Sequence, residues 1–454
     1  MQRANLWRWW WIVLIGIAYG QSAPDAIRIV QDELGFGARA LAMGGAYSGA
    51  ADDYSAIYWN PAGLAAIRKS SVVAELSHYN FANQATFRGN LTDESQNYTR
   101  VSSIGFAYPF QTYRGSFVMA FGYNRIKDFD QNLLFSGTNS QSNGLSFDFD
   151  GTIYDFDQNV YQLEQVSDEG GLNQWSLAAG VSLSPNFTAG ATAMIWSGQS
   201  DYQFSFRQED RQNLYNVLPG DFDSYTLSRN LLTDYSAIGL KLGGMFNLPS
   251  GLKLGVAVGL PVNFHIDETF TESDVLIFDD GFEDRIDGDP AVFEYEVTTP
   301  MHFDAGASIN TDLLTLAGGI RYRDWSQTEF NINNDFLDDP DYVGLLQENS
   351  FIRQDYEATL QYNLGGELYL DGLDAMVRLG YAVFPSPLKD APAEMDKKYL
   401  TGGIGFRIDR YVSLDLTFLR GSWEQESEDE FTPGGTLEEI TTTKLLVGLT
   451  YSFK

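Results

Sequence analysis

Hydrophobic and polar residues alternate along most of the chain after residue 70. Near the end of the chain, Leu445, Val447, Leu449 and Tyr451 share one face, and mostly small or polar residues separate them. A period of two residues is the pattern of a β-strand with one apolar side. This pattern predicts fourteen strands, near 71–80, 101–109, 115–125, 173–183, 186–198, 235–247, 252–264, 301–310, 313–324, 356–370, 373–384, 399–408, 411–422 and 440–453.

The connections between these strands are short and long in turn. Short links such as Asp371-Gly372 carry turn residues, whereas 81–100, 126–172 and 265–300 are long. This regular alternation is typical of outer-membrane barrels of bacteria, whose turns face the periplasm and whose loops face outward. Closing the sheet also pairs every strand edge, as hydrocarbon requires. We therefore predict an all-β fold, a fourteen-stranded antiparallel transmembrane β-barrel over residues 71–454.

Composition and charge narrow the classes of function. Aromatic residues make up 14% of the chain and glycine occurs 44 times, as expected for a barrel with tight turns and aromatic girdles. There is no cysteine, which excludes disulfides and thiolate metal sites. The formal net charge is −32, so we expect no nucleic-acid partner, since phosphates need basic residues.

The first twenty residues have the features of a signal peptide. Arg3 and Arg8 form a basic region, and an apolar stretch runs from Trp9 to Ala18. Cleavage is expected after Gly20, with a second candidate position after residue 23. We therefore expect the chain to be exported.

The stretch from residue 35 to 65 is rich in small residues and is unlike the leader or the strands. Its sequence ARALAMGGAYSGAADDYSAIYWNPAGLA contains Gly44-Gly45, Ala51-Asp52-Asp53 and Asn60-Pro61-Ala62-Gly63-Leu64. It resembles the N-terminal hatch of the FadL/TodX family, outer-membrane barrels that take up long-chain fatty acids and other hydrophobic compounds. The resemblance implies that residues 21–70 form a hatch, or plug, in the barrel lumen.

The resemblance also implies a function. It is passive uptake of hydrophobic compounds such as long-chain fatty acids, by hatch rearrangement and lateral exit through the barrel wall. We assign the hatch and lateral gate to Asn60, Pro61, Ala62, Gly44, Gly45, Asp52 and Asp53. A plain Asx-Pro turn is the alternative interpretation of Asn60-Pro61. Diffusion down a gradient needs no cofactor or metal, and no motif singles out a nucleophilic serine, so we do not expect an enzyme.

Several basic residues are predicted to face the lumen because they alternate with apolar positions. They are Lys241, Arg321, Arg323, Arg378 and Arg407. They could anchor the hatch through Asp52 and Asp53, or one of them could bind the carboxylate of a ligand. The alternative is that they balance carboxylates of the wall such as Glu367 and Asp415.

The partners follow from the same analysis. We expect hydrophobic small molecules, outer-membrane lipid, and the barrel-assembly machinery, which would recognise the C-terminal strand ending in Phe453. The long loops are acidic, and their apolar runs, such as 275–278 and 133–135, either form an outer groove or cap the barrel mouth. We expect a monomer. The alternative function is a FadL-like scaffold of a protein secretion system that binds exported proteins.

Overall fold

The computed structural model describes residues 22–333 and 340–453. The predicted signal peptide, residues 1–20, lies outside these ranges. Within them, no helix is both long enough and apolar enough to cross a bilayer.

Strands account for most of the described chain. They are β1 Ser70–Phe87, β2 Asn90–Phe110, β3 Phe117–Asp128, β4 Gln131–Asn139, β5 Ser146–Phe149, β6 Thr152–Asp155, β7 Val160–Ser184, β8 Phe187–Glu209, β9 Phe222–Asn247, β10 Leu252–Gly259, β11 Asn263–Phe278, β12 Glu283–Asp287, β13 Ala291–Thr298, β14 His302–Asn310, β15 Leu314–Asp324, β16 Glu329–Asn331, β17 Ala358–Leu370, β18 Ala375–Phe384, β19 Lys397–Arg407, β20 Val412–Ser427 and β21 Thr436–Phe453. The α-helices are α1 Ala23–Val30, α2 Ala38–Ala42, α3 Ala56–Trp59 and α4 Pro340–Asp355, and short 3₁₀ helices cover Pro61–Ala66, Trp325–Gln327 and Asp371–Leu373.

Fourteen of these strands form one closed antiparallel ring. The order around the ring is β1, β2, β3, β7, β8, β9, β10, β14, β15, β17, β18, β19, β20 and β21. The last strand pairs with the first, from Ser70 opposite Phe453 to Thr86 opposite Leu437. The predicted fourteen-stranded antiparallel barrel is therefore confirmed, and each predicted strand corresponds to one strand of the ring. The strand predicted at 252–264 is too long, because β10 ends at Gly259 and β11 begins at Asn263.

The alternation seen in the sequence separates the two faces of the wall. Leu445, Val447 and Leu449 point outward and keep 45–48% of their surface exposed, whereas Leu446 between them is buried at 1%. The outward apolar side chains form a band around the barrel, as a transmembrane wall requires. The inward side chains contact the contents of the lumen.

The long connections differ from the prediction. The prediction of a long loop at 81–100 is wrong. β1 and β2 extend through this range and are joined by a tight turn at Arg88-Gly89, where both residues have positive φ. Strands β4 to β6 lie within the predicted loop 126–172, and β12, β13 and most of β11 lie within the predicted loop 265–300. Beyond the membrane a strand needs no apolar face, so the apolar alternation ends before the strand does.

The ladder between neighbouring strands is interrupted at two places. Pairing of β2 with β3 ends at Ser103 opposite Asn124, and beyond Asp128 the chain continues as β4, which pairs with β7. The second interruption separates β10 from β11 and β13 from β14. There Pro261 and Pro300 lie between the pairs Gly259–His302 and Asn263–Thr298, and proline has no N–H to donate.

Residues 22–65 lie inside the barrel, and residues 66–69 lead from them to β1; we call residues 22–69 the N-terminal segment. Most of their side chains are buried, and together with inward wall residues they form the largest hydrophobic cluster of the lumen. Wall side chains on opposite sides of the ring bind the backbone of the segment. Thr192, Ser308, Asn363, Thr401 and Thr417 donate to the carbonyl oxygens of Ile57, Gly49, Gly44, Ala42 and Ala38 over 2.6–3.1 Å.

Candidate functional site

Gly44 and Gly45 form a turn that lies directly against the wall. Both have positive φ, +64° and +71°, which favours glycine. A Cβ on Gly44 would lie 2.7 Å from the backbone nitrogen of Tyr381, and one on Gly45 would lie 2.7 Å from the Trp59 ring. The two glycines therefore meet both a conformational and a steric requirement of the segment.

Asn60 links the segment to β9. Its side-chain amide donates to Ser48 O at 2.9 Å and to Gly244 O at 3.2 Å, and its Oδ1 accepts from Ala62 N at 3.1 Å. Pro61 packs against glycines of β7, β8 and β9 where these strands are fully paired. The Asn60-Pro61-Ala62 motif thus lies on a continuous part of the wall, away from both interruptions.

Asp52 and Asp53 pair within the segment itself. Arg39 donates to Asp52 at 2.6 Å, and Asp53 accepts from the Tyr47 hydroxyl at 2.7 Å and from Ser55 N at 2.9 Å. The wall supplies Lys253, 3.6 Å from Asp52, as a further partner. Arg39 was not among the predicted partners, because an arginine inside a segment of small residues gave no period-two signal.

Arg378 is buried in the wall and is engaged by wall carboxylates. It donates to Glu367 at 2.6 Å and to Asp415 at 2.5 Å. These contacts agree with the alternative interpretation, in which the lumenal arginines balance carboxylates of the wall. Arg407 is exposed and lies over the ring of Tyr369 at 5.3 Å. Arg378 and Arg39 therefore share the carboxylate of Glu367, whereas Arg407 takes no part in this network and is exposed.

Arg321 and Arg323 point into the lumen and meet an acid of the N-terminal segment. Asp32 lies 3.1 Å from each guanidinium. Burial alone would raise the pKa of Asp32, but Arg323 and Arg321 outweigh it and hold that pKa at about 2. Asp304 of β14 pairs with Arg321 at 2.6 Å and with Lys241 at 2.7 Å. Arg321, Arg323 and Lys241 thus meet two acids at this point, and His302 lies 3.1 Å from Arg323 beside them.

This group forms one end of a cavity in the lumen, which we call the arginine cavity. Its volume is about 90 Å³, and most of the remaining lining is apolar. The lining comes from the segment, β3, β7, β8 and the second interruption, and includes Ile29, Val30, Ile126, Leu172, Met194, Trp196, Leu260, Val262 and Phe264. The alternation of residues predicted the basic end of this cavity, but it did not indicate the apolar walls.

A second cavity lies on the other side of residues 31–33, and we call it the lysine cavity. It measures about 110 Å³ and is lined by Lys127, Lys397, Lys444, Arg28, Glu33, Asp128, Asp130, Tyr79, Phe129, Tyr399 and Leu41, among others. Burial and the nearby Asp128 raise the pKa of Glu33 to about 7. Gln31, Glu33 and Lys127 line both cavities, so the segment separates two adjoining spaces.

The apolar runs of the acidic loops form a core of their own. Leu276 and Phe278 are buried with Phe147, Phe156 and Phe206 above the barrel. Leu133 and Phe135 pack with Ala85 and Phe87 at a separate place. Of the two alternatives left open for these runs, packing at the barrel mouth agrees with their burial.

Comparison with known proteins bears on the fold. No protein-family model matches the chain, and no curated protein matches it in sequence. Among solved structures, the toluene transporter TodX of Pseudomonas putida is 14% identical, with 93% of this chain and 100% of that chain covered and a TM-score of 0.58. A FadL homologue of Pseudomonas aeruginosa is 12% identical, with 93% and 99% covered and a TM-score of 0.58.

A third similar structure is CymD, a monoaromatic hydrocarbon channel. It is 13% identical, with 92% of this chain and 98% of that chain covered and a TM-score of 0.53. The chain therefore shares the fold of the FadL and TodX barrels over nearly its full length. This confirms the fold that the resemblance of the N-terminal stretch implied.

Proposed function

We propose that this chain is an outer-membrane channel for passive uptake of hydrophobic compounds, with long-chain fatty acids as the first substrate class. The observation that carries the proposal is a mostly apolar cavity with a basic end in the lumen of a barrel with an apolar outer band. The similar structures named above include a toluene transporter and a monoaromatic hydrocarbon channel, which supports hydrophobic uptake. Apolar ligands gain about 25 cal/mol per Å² on burial.

The N-terminal segment acts as the hatch in this proposal. The arginine cavity measures about 90 Å³. An engineered protein cavity of about 150 Å³ accommodates benzene, so a long alkyl chain does not fit the present space. The segment forms one side of the cavity through Ile29 and Val30, and moving it enlarges the space. Uptake therefore requires a rearrangement of the segment.

Lateral exit through the wall is the second step. Leu260, Val262 and Thr299, which border the second interruption, line the arginine cavity. Pro261 and Pro300 lack N–H groups, and Val262 and Thr299 form two hydrogen bonds with each other there, from Thr299 N to Val262 O at 2.8 Å and from Val262 N to Thr299 Oγ1 at 3.0 Å. Separating the strands at this place therefore breaks few hydrogen bonds. Phe303 next to this interruption is 49% exposed on the outside, so the exit would face hydrocarbon. Asn60 takes part by holding the segment closed.

A cavity-filling variant tests this function. Met194 lines the cavity, whereas the next residue, Ile195, points outward and is 56% exposed. We expect Met194→Trp to reduce uptake of labelled palmitate and toluene by cells that carry the protein in their outer membrane. Ile195→Trp is the matched control and should leave uptake unchanged. Equal uptake in both variants would exclude this cavity from the route.

Native mass spectrometry in mild detergent separates the two function classes. A retained adduct in the mass range of a fatty acid or hydrocarbon supports the channel. Stoichiometric exported proteins on a barrel without adduct would favour the secretion scaffold instead.

A further inference from the structure

The rim of the barrel that carries the short turns is basic in one sector. Four exposed bases lie in the connections of six neighbouring strands, β19, β20, β21, β1, β2 and β3. We call them the basic rim, and they are Arg68 and Lys69 before β1, Arg114 between β2 and β3, and Arg410 between β19 and β20. Arg407, at the end of β19, lies over Tyr369 and is not part of this group.

The bases of the basic rim lack an acidic partner. None of them forms an ion pair with any of the residues that the structure describes. Asp409, the acid of the turn that carries Arg410, accepts instead from the backbone N–H groups of Tyr411 and Val412 at 2.6 and 2.8 Å. Lys69 Nζ lies 3.5 Å from Arg410 O, so two of the bases come together from distant parts of the chain. The basic rim therefore carries a net positive charge.

The remainder of the same rim differs in charge. Its other four turns hold no base, and their charged residues are Asp312, Asp371 and Asp374. The chain has 29 Lys and Arg residues against 61 Asp and Glu residues, so four bases beside one acid reverse its overall balance. The positive charge is thus concentrated in one sector of an acidic protein, where an anion would find it.

A continuous row of aromatic side chains lies beside the basic rim on the outer surface. Most of these rings are exposed. The row runs through Tyr411, Tyr451, Phe453, Phe106, Tyr108, Phe110 and Phe117, with neighbouring ring centroids 4.9–6.4 Å apart. Aromatic girdles mark the depth at which hydrocarbon gives way to lipid head groups. Arg410 lies over the ring of Tyr411 at 4.6 Å, so this base stands at head-group level.

A phospholipid with an anionic head group matches both features. Its acyl chains can lie against the apolar band and the aromatic row, while its phosphate accepts charge-assisted hydrogen bonds from Lys69 and Arg410. A zwitterionic lipid would bring an ammonium group of its own towards these bases. A soluble anion or an acidic protein would use the charges but not the rings, because the row faces the membrane.

We propose that the basic rim binds the head group of anionic phospholipid, with the aromatic row beneath it as the platform for the acyl chains. Because the short turns of such barrels face the periplasm, the lipid belongs to the periplasmic leaflet. The site lies on the outside of the wall, so the inference does not depend on which compound the lumen carries.

The test compares phosphatidylglycerol with phosphatidylethanolamine of the same acyl chains. Each lipid is titrated into the purified full-length barrel in a non-ionic detergent, and native mass spectrometry of the retained adducts gives the dissociation constants. We expect the wild type to prefer phosphatidylglycerol. The double variant Lys69→Gln/Arg410→Gln should weaken this binding by roughly 25-fold, about fivefold for each base, and leave phosphatidylethanolamine binding unchanged. Both positions are exposed, and heat-dependent gel mobility checks that the barrel is folded.

The matched control is Arg207→Gln/Arg211→Gln. These two arginines are exposed at the long-loop end of the barrel and pair with Glu209 at 2.7 Å, so the control removes the same charge and should keep the preference. Equal wild-type affinity for the two lipids, or unchanged phosphatidylglycerol binding in Lys69→Gln/Arg410→Gln, would overturn the site. Full displacement of phosphatidylglycerol by inorganic phosphate at constant ionic strength would do so too, since the aromatic row would then contribute nothing.

Discussion

Arg39 in the N-terminal segment and Glu367 in β17 form a two-pronged ion pair, with both hydrogen bonds at 2.9 Å. The same guanidinium reaches Asp52, and the same carboxylate reaches Arg378. The pair thus connects the acids of the segment to the buried charges of the wall. It fixes the segment near the short-turn rim of the barrel.

Replacing Arg39 should loosen the segment. In Arg39→Met two charge-assisted bonds to Glu367 and one to Asp52 are lost, and we expect the free energy of local opening to fall by about 2 kcal/mol. Hydrogen exchange of the backbone amides of residues 40–60 measures this change. Arg410→Met, at an exposed turn, is the control and should exchange like the wild type. If Arg39→Met does so too, the ion pair does not hold the segment.

Two adjacent glycines of β17 should respond differently to the same substitution. A Cβ on Gly365 would overlap the carbonyl of Met43, whereas one on Gly366 would meet Leu316 at 3.5 Å, an ordinary contact. We expect Gly365→Ala to displace the segment at a cost of about 1–3 kcal/mol, as overpacked sites do. Gly366→Ala should be neutral. Single-channel conductance reads out the displacement, and indistinguishable conductance of the two variants would contradict it.

Asn60 provides a test of the proposed gate. Asn60→Ala removes three hydrogen bonds that are worth about 1 kcal/mol each, so the segment should open more readily. Asn60→Asp keeps the acceptor for Ala62 N but has no amide to donate to Gly244 O. Palmitate uptake and hydrogen exchange are measured together, with Asn97→Ala on the exposed β2 as control. Unchanged uptake and exchange in Asn60→Ala would refute the gate role.

The carboxyl group of Glu33 should make the stability of the folded protein depend on pH. Its pKa is raised from 4.5 to about 7 by burial and by Asp128, so the folded state binds this proton more tightly than the unfolded state does. Stability from this group is therefore present below pH 4.5 and is lost as the pH rises to about 7. Lys127, Lys397 and Lys444 oppose the shift without cancelling it.

Glu33→Gln checks this dependence, because glutamine stays neutral at every pH. The difference in stability between the variant and the wild type should grow in favour of the variant from pH 4.5 to 7. Thermal unfolding at a series of pH values measures it. A difference that stays constant over this range would mean that Glu33 titrates normally.

The alternation of apolar residues predicted the membrane-spanning part of the barrel wall but not the strands that extend beyond the membrane. Strands such as β21 were predictable because lipid requires every second residue to be apolar. The outer part of β1 and β2 was not predictable, since residues 90–100 are mostly polar and a strand outside the membrane has no apolar face. Likewise, Pro261 lay within the strand predicted at 252–264. The alternation of apolar residues does not show where a hydrogen bond between neighbouring strands is missing.

The contents of the lumen were predictable in part. The small residues and the motif at 60–64 indicated a segment that packs closely, but Asp32 and Lys127 gave no signal. Asp32 comes from an irregular stretch, and Lys127 follows a bulge that changes the period of β3. A residue whose direction depends on a bulge can be placed only when the neighbouring strand is known.

The enclosure of the N-terminal segment by many strands has a consequence for biogenesis. The segment is held by strands from β1 to β20, and the ring closes only when β21 pairs with β1. No single hairpin therefore offers the segment its whole binding surface. The N-terminal segment is synthesised before the last strand, so it can be enclosed only when β21 pairs with β1. Chains cut short before Thr436 should accordingly leave their beginning open to protease.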